Sequence, residues 1–356
     1  MKKILITAYD LNIGGIEKSL INLLKRIHNK YEITLVLEHK EGLLLDLIPK
    51  DVIIQEYKVS TSSNIAYRKL FNLVKFLKWN LINRNKYDFS ICYATYSLPG
   101  KKLALSASKK NAIWIHSNYK LIYKDDKKVF EFFKLMELEK FSKCVFVSKD
   151  AFDSSIKIYP YIAEKSIVCN NYINFKEIQE KSKEKIEISG DKDILFVNVG
   201  RHEEDSKQLT RLIEACKLLK KDNIGFKLLM VGDGPDHNNY IELVNKYKLE
   251  KEIIFVGSKK NPYPYYALAD CVVLSSNYEG YPVVFLEALT LNKPIISTKV
   301  SDYKEIEDYG IFVDKNVNDL YMAMKKFIQG ECNFKKNYDI KKLSKEIDEK
   351  IQKIIE

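Results

Sequence analysis

Residues 194–207 read ILFVNVGRHEEDSK: a run that is apolar except for Asn198 ends at a glycine, an arginine follows at once, and a lysine comes six residues later. Unbroken runs of Val, Ile and Leu are typical of strands that are buried on both faces, as in parallel sheets. The stretch therefore predicts a buried parallel strand with two cations directly after it. Since ligands of open parallel sheets bind at the carboxyl ends of the strands, this end is the first candidate site.

Similar apolar runs recur along the chain and alternate with helical patterns. Seven fall in the first half, at residues 4–9, 32–38, 52–57, 89–94, 112–116, 144–148 and 166–170. Six fall in the second half, at residues 194–200, 226–232, 253–257, 271–276, 294–299 and 311–314. Strands that alternate with helices build right-handed βαβ units and parallel sheets. The sequence thus predicts an α/β protein with two Rossmann-like, doubly wound parallel-sheet domains that face each other across a ligand-binding cleft.

The chain of 356 residues is long enough for two domains of ordinary size. We place an N-terminal domain over residues 1–173 and a C-terminal domain over residues 194–335, joined by a polar, charge-dense linker over residues 174–193. Residues 336–356 are predicted to include a C-terminal helix that packs back toward the N-terminal domain. Asp191-Lys192-Asp193 is a D-x-D motif, but it precedes a strand, and we interpret it as a solvated loop.

The formal net charge is +11, and three kinds of partner could account for it: nucleic acid, an anionic membrane or phosphorylated small molecules. The chain has no helix-turn-helix, zinc-finger or RNP-like signature, so no nucleic-acid partner is expected. The six cysteines are scattered and form no C-x-x-C pair, which indicates a reducing, cytoplasmic compartment. No apolar segment approaches the roughly 20 residues of a membrane span, so a soluble or peripheral protein is predicted.

Two glycine and cation motifs follow predicted strands. Gly14 and Gly15 lie between the first strand and a helix, where paired glycines allow close approach to a ligand and a helix N-terminus favours anions. A tight strand-to-helix turn is the alternative. Arg201 and Lys207 suit a diphosphate and would stabilise it as it departs, although cations in a loop are often only solvated.

Two carboxylates and a histidine complete the candidates. Glu279 lies in a predicted strand-to-helix turn and Glu287 lies in the helix that follows, within SSNYEGYPVVFLEAL at residues 275–289. Carboxylates accept hydrogen bonds from sugar and ribose hydroxyls. His116 ends the strand AIWIH in the first domain, a position that suits either a buried structural histidine or a functional one.

Together these residues resemble glycosyltransferase family 4, a large family with the GT-B fold. The resemblance covers residues 194–315 most closely, through NVGRHEEDSK, LLMVGDGPD, IIFVGSKKNPYPYYALAD, the E-x7-E string and ALTLNKPIIST, in that order. The first half matches more loosely, through GGIE, IWIHSN and VFVSK. The order and spacing of the second-half strings are highly specific.

The resemblance implies a donor diphosphate site. Arg201 and Lys207 would bind the diphosphate, and Gly15 would approach it from the other domain. The sequence departs from the family at Gln208, where a glycine usually follows the lysine, and the loop before Lys207 is unusually acidic. Both departures weaken the expectation for Lys207.

Other matching residues would surround the sugar and the nucleoside. Glu279 and His116 are the candidate catalytic residues, because the resemblance places them at the reacting sugar. The rest of the donor pocket would comprise Gly280 and Tyr281 at the sugar, Glu287 at the ribose, and Gly257 and Asn261 at the nucleobase.

The family retains the anomeric configuration and needs no bound metal or other cofactor, so neither a cofactor nor a protein nucleophile is expected. We expect transfer of a hexose or N-acetylhexosamine from a nucleotide sugar to a glycan hydroxyl, with a lipid-linked oligosaccharide of capsule, O-antigen or another surface polysaccharide as acceptor. Similar enzymes with NPYPY favour UDP, although the loop around Asn261 could equally accept GDP. The alternatives are a nucleotide-sugar epimerase on the same fold and a non-catalytic GT-B partner subunit.

Residues 67–86, YRKLFNLVKFLKWNLINRNK, contain six Lys or Arg and no acid. We predict a helix whose core-facing side is formed by Tyr67, Leu70, Leu73, Val74, Leu77 and Leu81. Lys75, Phe76 and Trp79 fall on the opposite side, where exposed aromatics among cations suit an anionic membrane surface. Burial of the two rings under neighbouring loops is the alternative. With such a contact the protein would be cytoplasmic and peripheral on the inner face of the plasma membrane.

Overall fold

The computed structural model describes residues 1–12, 14–186 and 193–356 of the chain. These residues form two compact units: Met1–Tyr172 with Lys345–Glu356, and Ile173–Ser344. Within the described residues, the first unit contains a seven-stranded parallel sheet and the second a six-stranded one. The prediction of two doubly wound α/β domains is confirmed.

The first unit alternates strands and helices from its first residue. Its elements are β1 (Lys2–Ala8), α1 (Gly15–Ile27), β2 (Tyr31–Leu37), β3 (Ile53–Glu56), α2 (Ile65–Asn83), β4 (Phe89–Cys92), α3 (Leu98–Ala107), β5 (Asn111–Ile115), α4 (Tyr119–Tyr123), α5 (Asp126–Leu135), β6 (Lys143–Phe146), α6 (Lys149–Ile158) and β7 (Ser166–Val168). The strand order is β3-β2-β1-β4-β5-β6-β7, so the winding reverses between β1 and β4. Such a reversal opens a crevice at the carboxyl ends of the two strands.

The second unit follows the same plan. Its elements are α7 (Phe175–Lys181), β8 (Ile194–Val199), α8 (Glu204–Lys207), α9 (Leu209–Lys221), β9 (Phe226–Val231), α10 (His237–Lys246), β10 (Ile253–Phe255), α11 (Tyr263–Leu268), β11 (Cys271–Leu274), α12 (Val283–Thr290), β12 (Ile295–Thr298), β13 (Gly310–Val313) and α13 (Val317–Ile328). The strand order β10-β9-β8-β11-β12-β13 reverses between β8 and β11. Strand β8, which Arg201 follows, therefore lies at the switch point.

The unbroken apolar runs form the cores because helices cover both faces of each sheet. Ile4, Leu5 and Ile6 of β1 are fully buried, as are Phe196 and Val197 of β8. Phe196 packs in a cluster with residues of α9, whereas Val197 packs in a separate cluster with residues of α12. Neighbouring residues of one strand thus serve opposite faces, which is why the run does not alternate with polar residues.

The segment predicted as a linker, residues 174–193, contains α7. Asn174 caps this helix by accepting a hydrogen bond from the Glu177 backbone N–H at 3.2 Å. Ile178 is buried in a cluster with Leu286 and Ile340. One well-placed isoleucine thus anchors a segment whose average composition is polar. Of the D-x-D motif, Asp191 and Lys192 lie outside the described residues, as does the linker over 187–192.

The C-terminal segment contains α14 (Ile340–Ile355). From Lys345 onward it groups with the first unit. Ion pairing holds it there, because Arg26 of α1 binds the Asp348 carboxylate with two guanidinium nitrogens. Ile347, Ile351, Ile354 and Ile355 are buried on this helix. All six cysteines are free thiols, as their scattered positions predict.

Helix α2 is present where the sequence predicts it, but its orientation is the reverse. Tyr67, Leu70, Leu73, Val74, Leu77 and Leu81, predicted to face the core, are all exposed. Phe76 and Trp79 are instead half-buried against a cluster that includes Leu5, Tyr57 and Leu103.

Polar pairing explains the reversed orientation of α2. Asn72 accepts a hydrogen bond from the Ser60 backbone N–H at 2.8 Å, and Lys75 Nζ donates to the Lys58 carbonyl at 2.6 Å. Asn72 and Lys75, which were predicted to face solvent, thus form hydrogen bonds with the preceding loop. The prediction that Lys75, Phe76 and Trp79 contact a membrane is therefore corrected. Lys75 binds the Lys58 carbonyl, and the two rings pack against the buried cluster. Among the described residues, no helix combines the length and the apolar character that crossing a bilayer requires.

Candidate functional site

The loops after β8, β9 and β10 pack together at the carboxyl edge of the second sheet. Gly232 has a φ of +152°, and a Cβ there would lie 1.8 Å from the Gly200 carbonyl oxygen. Only glycine fits that position. The Gly232 N–H donates to the Gly257 carbonyl at 3.1 Å, and the His202 N–H donates to the Asp233 carbonyl at 3.0 Å. The motif GDG is therefore a tight turn that fixes the loop carrying Arg201.

Lys207 and Glu279, distant in sequence, meet at this edge. The Lys207 ammonium lies 2.6 Å from Glu279 Oε1, and Ser276 Oγ donates to the same oxygen at 2.6 Å. A Cβ on Gly200 would lie 3.7 Å from Lys207 Cε, so the lysine stem passes over this glycine. The structure thus brings together the predicted diphosphate lysine and the predicted sugar-contacting glutamate.

Arg201 lies in the loop directly after β8, and its exposed side chain makes no hydrogen bond or ion pair to any described residue. An unpaired guanidinium offers five N–H donors in a planar fork that suits phosphate oxygens. Arg201 and Lys207 therefore differ in state: one cation is open to a ligand, and the other is held by an internal carboxylate.

The structure accommodates both departures from the family pattern, Gln208 and the acidic loop before Lys207. Gln208 has a φ of 49° and a ψ of 50°, the left-handed region that glycine enters most easily. Its side-chain amide donates to the Glu204 carbonyl at 3.0 Å, which supports the turn between α8 and α9. The acidic residues before Lys207 also have their own partners: Tyr240 donates to Glu204 at 2.9 Å, and Tyr278 donates to Asp205. Lys207 is therefore paired with Glu279 rather than with this loop.

Arg211 holds the turn that carries Glu279, and the sequence analysis did not identify it. Its guanidinium is buried and donates to the Ser275 carbonyl at 2.5 Å and to Asn277 Oδ1 at 2.9 Å. Ser301 Oγ donates to the Gly280 carbonyl at 2.7 Å from another loop. An arginine among the apolar residues of LTRLIEACKLL was the available signal, because a cation on a buried helix face needs a partner.

Glu287 lies on α12 with only 3% of its surface exposed. The Tyr266 hydroxyl donates to Glu287 Oε2 at 2.6 Å. Burial, together with the negative charge of Glu287, raises the pKa of Tyr266 well above its usual value. A buried carboxylate needs such donors, because leaving it unpaired costs free energy. The tyrosines of the NPYPYY string were not predicted to have this role.

Gly257 and Asn261, the two residues predicted at the nucleobase, differ in how open they are to a ligand. Gly257 has a φ of +75° and no atom within 4 Å of a Cβ built there, so its backbone is open. The Asn261 amide donates to the Lys181 carbonyl at 3.1 Å and to Glu184 Oε2 at 2.6 Å. The side chain of Asn261 therefore links its loop to α7 and the residues that follow it. Only the backbone of Asn261 is then left to contact a nucleobase.

In the first unit, Gly15 is the first residue of α1 and follows the N-cap Gly14. A Cβ added to Gly15 would have no heavy atom within 4 Å, whereas one added to Gly14 would lie 2.1 Å from Glu17 Oε2. The backbone at Gly15 is therefore open to a ligand.

His116 follows β5 and is buried, with its ring 4.5 Å from that of Tyr93. Neither ring nitrogen makes a hydrogen bond of good geometry within the described part of the chain. Burial lowers the pKa of His116 to about 3, and the nearby Tyr93 backbone opposes this shift only in part. His116 is thus neutral near pH 7 and can act there as a hydrogen-bond donor or acceptor, but not as a cation.

A histidine pair supports the loop that carries Arg201. His202 is fully buried, and its Nδ1 lies 2.7 Å from His237 Nδ1, with the two rings stacked. Burial, together with the neighbouring His237, lowers the pKa of His202 to about 4 against the opposing charge of Asp233. A neutral His202 is therefore the form that the folded unit contains.

Stability is expected to fall as the pH decreases from about 6.5 toward 4. In the unfolded chain His202 and His116 take up protons near their ordinary pKa, whereas in the folded chain their pKa values are about 4 and about 3. Each group then removes up to about 1.4 kcal/mol of unfolding free energy per pH unit in this window. Urea unfolding at several pH values measures the slope. His202→Gln should flatten it, and an equal slope in the variant would contradict the prediction.

The fold of the described residues is that of known GT-B structures. The HepE protein of Anabaena, solved in complex with UDP, matches with a TM-score of 0.76 over 99% of this chain and 100% of its own, at 15% sequence identity. At this identity the likeness establishes the fold, and that fold is GT-B.

The family comparison concerns the second unit. Residues 178–349, just under half of the chain, match the family model described as glycosyl transferases group 1. This region contains Arg201, Lys207, Glu279 and Glu287. The match therefore includes both residues of the contact between Lys207 and Glu279.

Curated relatives extend the comparison. An uncharacterized glycosyltransferase of Methanocaldococcus jannaschii is 28% identical over 65% of this chain, and the match spans 58% of that protein, less than two thirds of it. The N-acetylgalactosamine-N,N'-diacetylbacillosaminyl-diphospho-undecaprenol 4-alpha-N-acetylgalactosaminyltransferase of Campylobacter jejuni is 23% identical over 93% of this chain and 91% of its own. Further relatives are glycosyltransferases named for amylovoran, colanic acid and capsule biosynthesis. These findings support the classification of this chain as a glycosyltransferase.

Proposed function

We propose that the chain transfers a hexose or N-acetylhexosamine from a UDP-sugar to a glycan hydroxyl, with retention of the anomeric configuration and without a metal ion. The observation that carries the proposal is the contact between Lys207 and Glu279 at the carboxyl edge of the second sheet, the edge at which Arg201 follows β8. Two cations at one edge suit a diphosphate, and a carboxylate beside them suits the hydroxyls of the attached sugar.

The proposed chemistry is compatible with this arrangement. The bond between the anomeric carbon and the diphosphate oxygen breaks, a bond to the acceptor oxygen forms, and the acceptor proton passes to the leaving phosphate. Arg201 and Lys207 stabilise the charge that develops on the diphosphate. Glu279 is engaged by Lys207 and Ser276, so we assign it to sugar binding rather than to nucleophilic attack. His116 is assigned, as a neutral imidazole, to hydrogen bonding at the acceptor.

The choice of UDP and of a lipid-linked acceptor rests on relatives. The Anabaena structure was solved with UDP, and the Campylobacter relative is named for an acceptor on diphospho-undecaprenol. We extend both to this chain as part of the proposal. A place at the cytoplasmic face of the membrane, in the synthesis of capsule or another surface polysaccharide, belongs to the same proposal.

Calorimetric titration with UDP, GDP, ADP and dTDP in the presence of EDTA tests the donor site. We expect UDP to bind in the micromolar range that is typical of enzyme substrates, between about 1 μM and 1 mM. Preference for GDP would replace the proposed nucleotide, and binding to none of the four would refute the diphosphate site.

Turnover then distinguishes the reaction types. UDP-sugars are incubated with and without undecaprenyl-linked or soluble glycan acceptors, and UDP release is measured. Release that requires an acceptor supports transfer, and the anomeric signal of the product in NMR spectra reports retention or inversion. Conversion of the donor without any acceptor would identify an epimerase, and nucleotide binding without turnover on any acceptor would favour a non-catalytic partner subunit.

A further inference from the structure

Helix α2 presents a long apolar stripe to solvent on the first unit. Leu70, Leu73, Leu77 and Leu81 recur at spacings of three and four residues and are 63%, 54%, 50% and 85% exposed. Val74 lies between them and is also exposed. Single exposed leucines are ordinary, but a contiguous stripe of this length marks a surface that contacts an apolar partner. Tyr67, Phe71 and Ile82 widen the stripe on one side.

Cations border the stripe on both sides. At about 100° per residue, Lys69 lies on one flank and Lys78 on the other, and both are exposed. Between residues 57 and 87 the chain has seven Lys or Arg and no Asp or Glu. Residues 57–87 therefore combine an apolar stripe and flanking ammonium groups with no acidic side chain of their own.

The opposite side of α2 is fixed to the fold, so the stripe cannot turn inward by rotation of the helix. The Tyr57 and Trp79 rings lie 6.4 Å apart in an edge-to-face contact. Lys75 Nζ lies 5.0 Å from the centre of the Tyr57 ring and also donates to the Lys58 carbonyl. The stripe is thus a permanent feature of the folded unit.

We propose that the exposed stripe of α2 is a docking surface for an anionic lipid bilayer, in which the leucines enter the headgroup and acyl boundary and Lys69 and Lys78 contact lipid phosphates. Helices of this pattern lie in the plane of the membrane interface. Anionic lipids attract such cations at about 1 kcal/mol each. The surface lies entirely on the first unit and its lipid binding needs no nucleotide, so this proposal is independent of the proposed sugar transfer.

The charge pattern argues for lipid over a second copy of this chain. A symmetric contact through the stripe would bring the Lys69 and Lys78 groups of both copies together with no carboxylate on α2 to pair with them. Like charges at a contact disfavour association. An anionic bilayer instead supplies the complementary charge along with the apolar phase.

The test is co-sedimentation of the full chain with vesicles of phosphatidylcholine alone or with about one lipid in four replaced by phosphatidylglycerol. We expect binding to the anionic vesicles, at least about tenfold weaker binding to neutral ones, and weakening by salt. The double variant Leu70→Gln, Leu77→Gln should lose at least about tenfold in affinity, because both leucines leave the apolar phase. Lys69→Gln, Lys78→Gln should abolish the preference for anionic lipid.

A matched control carries the same chemical change elsewhere. Leu135 of α5 and Met322 of α13 are 55% and 45% exposed and belong to other helices, so Leu135→Gln, Met322→Gln should bind vesicles like the wild type. All substituted residues are exposed, so melting temperatures should be unchanged. Equal binding by wild type and the leucine variant would overturn the proposal. Association of the wild type into dimers in light scattering that is lost in the leucine variant, without vesicle binding, would assign the stripe to a second copy instead.

Discussion

Replacing Arg201 or Lys207 by alanine is expected to lower the affinity for UDP and the value of kcat/KM for the donor by about 10- to 150-fold each, the range of about 1.5–3 kcal/mol that hydrogen bonds to charged groups contribute. The two variants should differ in their other effects. Arg201 is exposed and makes no hydrogen bond or ion pair within the described chain, so its removal should leave the melting temperature unchanged. Lys207 is paired with Glu279, so its removal should also disturb that carboxylate.

Double-mutant cycles measure how strongly Lys207 and Glu279 depend on each other. Lys207→Ala and Glu279→Gln touch one contact of 2.6 Å, so their effects on turnover should be non-additive by about 1 kcal/mol or more. Arg201→Ala and Glu279→Gln are not in contact in the structure and should combine additively. If Glu279 contacts the sugar, Glu279→Gln should reduce turnover of the UDP-sugar while UDP itself binds nearly as well.

Lys221→Ala provides the charge control for both cations. Lys221 is exposed at the end of α9 that lies away from the candidate site, and its removal changes the net charge by the same amount. UDP affinity should be unchanged in this variant. Unaltered UDP affinity in Arg201→Ala and Lys207→Ala would show that the diphosphate does not bind at this edge of the sheet.

The strands were predictable from the sequence because burial on both faces removes polar residues from them. Ile4, Leu5 and Ile6 illustrate this, since each is fully buried although successive residues point to opposite faces of the sheet. The positions of Arg201 and Lys207 after β8 followed from the same rule about carboxyl ends. The direct contact between Lys207 and Glu279 did not, because it depends on two loops whose conformations are set by glycines and by Arg211.

Helix α2 was predicted with the wrong side facing inward because both of its sides are apolar. A helical wheel counts aliphatic residues and selects the leucine stripe, whereas the structure buries Phe76 and Trp79 and pairs Asn72 and Lys75 with the preceding loop. Aromatic rings bury a larger area per residue than aliphatic chains. The helix sequence does not show which polar residues will hydrogen-bond with a loop. The sequence alone therefore could not decide which side of α2 faces the core.

Glu287 is expected to determine whether the ribose hydroxyls contribute to nucleotide binding. If its carboxylate accepts hydrogen bonds from the ribose, the wild type should bind UDP about 10- to 150-fold more tightly than 2′,3′-dideoxy-UDP, since hydrogen bonds to a charged group are worth about 1.5–3 kcal/mol. In Glu287→Ala this difference should disappear, because neither nucleotide then meets a carboxylate. Calorimetric titration of both nucleotides on both proteins gives the result.

A structural role for Glu287 must be separated from this binding role, because the Tyr266 hydroxyl donates to the same carboxylate at 2.6 Å. Glu287→Ala leaves that buried hydroxyl without an acceptor, which should cost about 1–3 kcal/mol of unfolding free energy. Tyr266→Phe removes the hydroxyl instead and keeps the carboxylate. Because the buried carboxylate then lacks that donor, Tyr266→Phe should be destabilised at least as much as Glu287→Ala, yet it should retain the preference for UDP over the dideoxy analogue.

The comparison of these variants decides between two uses of one buried carboxylate. Loss of the ribose preference in Glu287→Ala but not in Tyr266→Phe would mean that Oε1, the oxygen that Tyr266 does not occupy, serves the nucleotide. Loss in both would mean that Tyr266 orients Glu287 for binding. Retention of the preference in folded Glu287→Ala would mean that Glu287 only accepts the hydrogen bond of Tyr266, and the ribose contact would have to be sought elsewhere along the carboxyl edge.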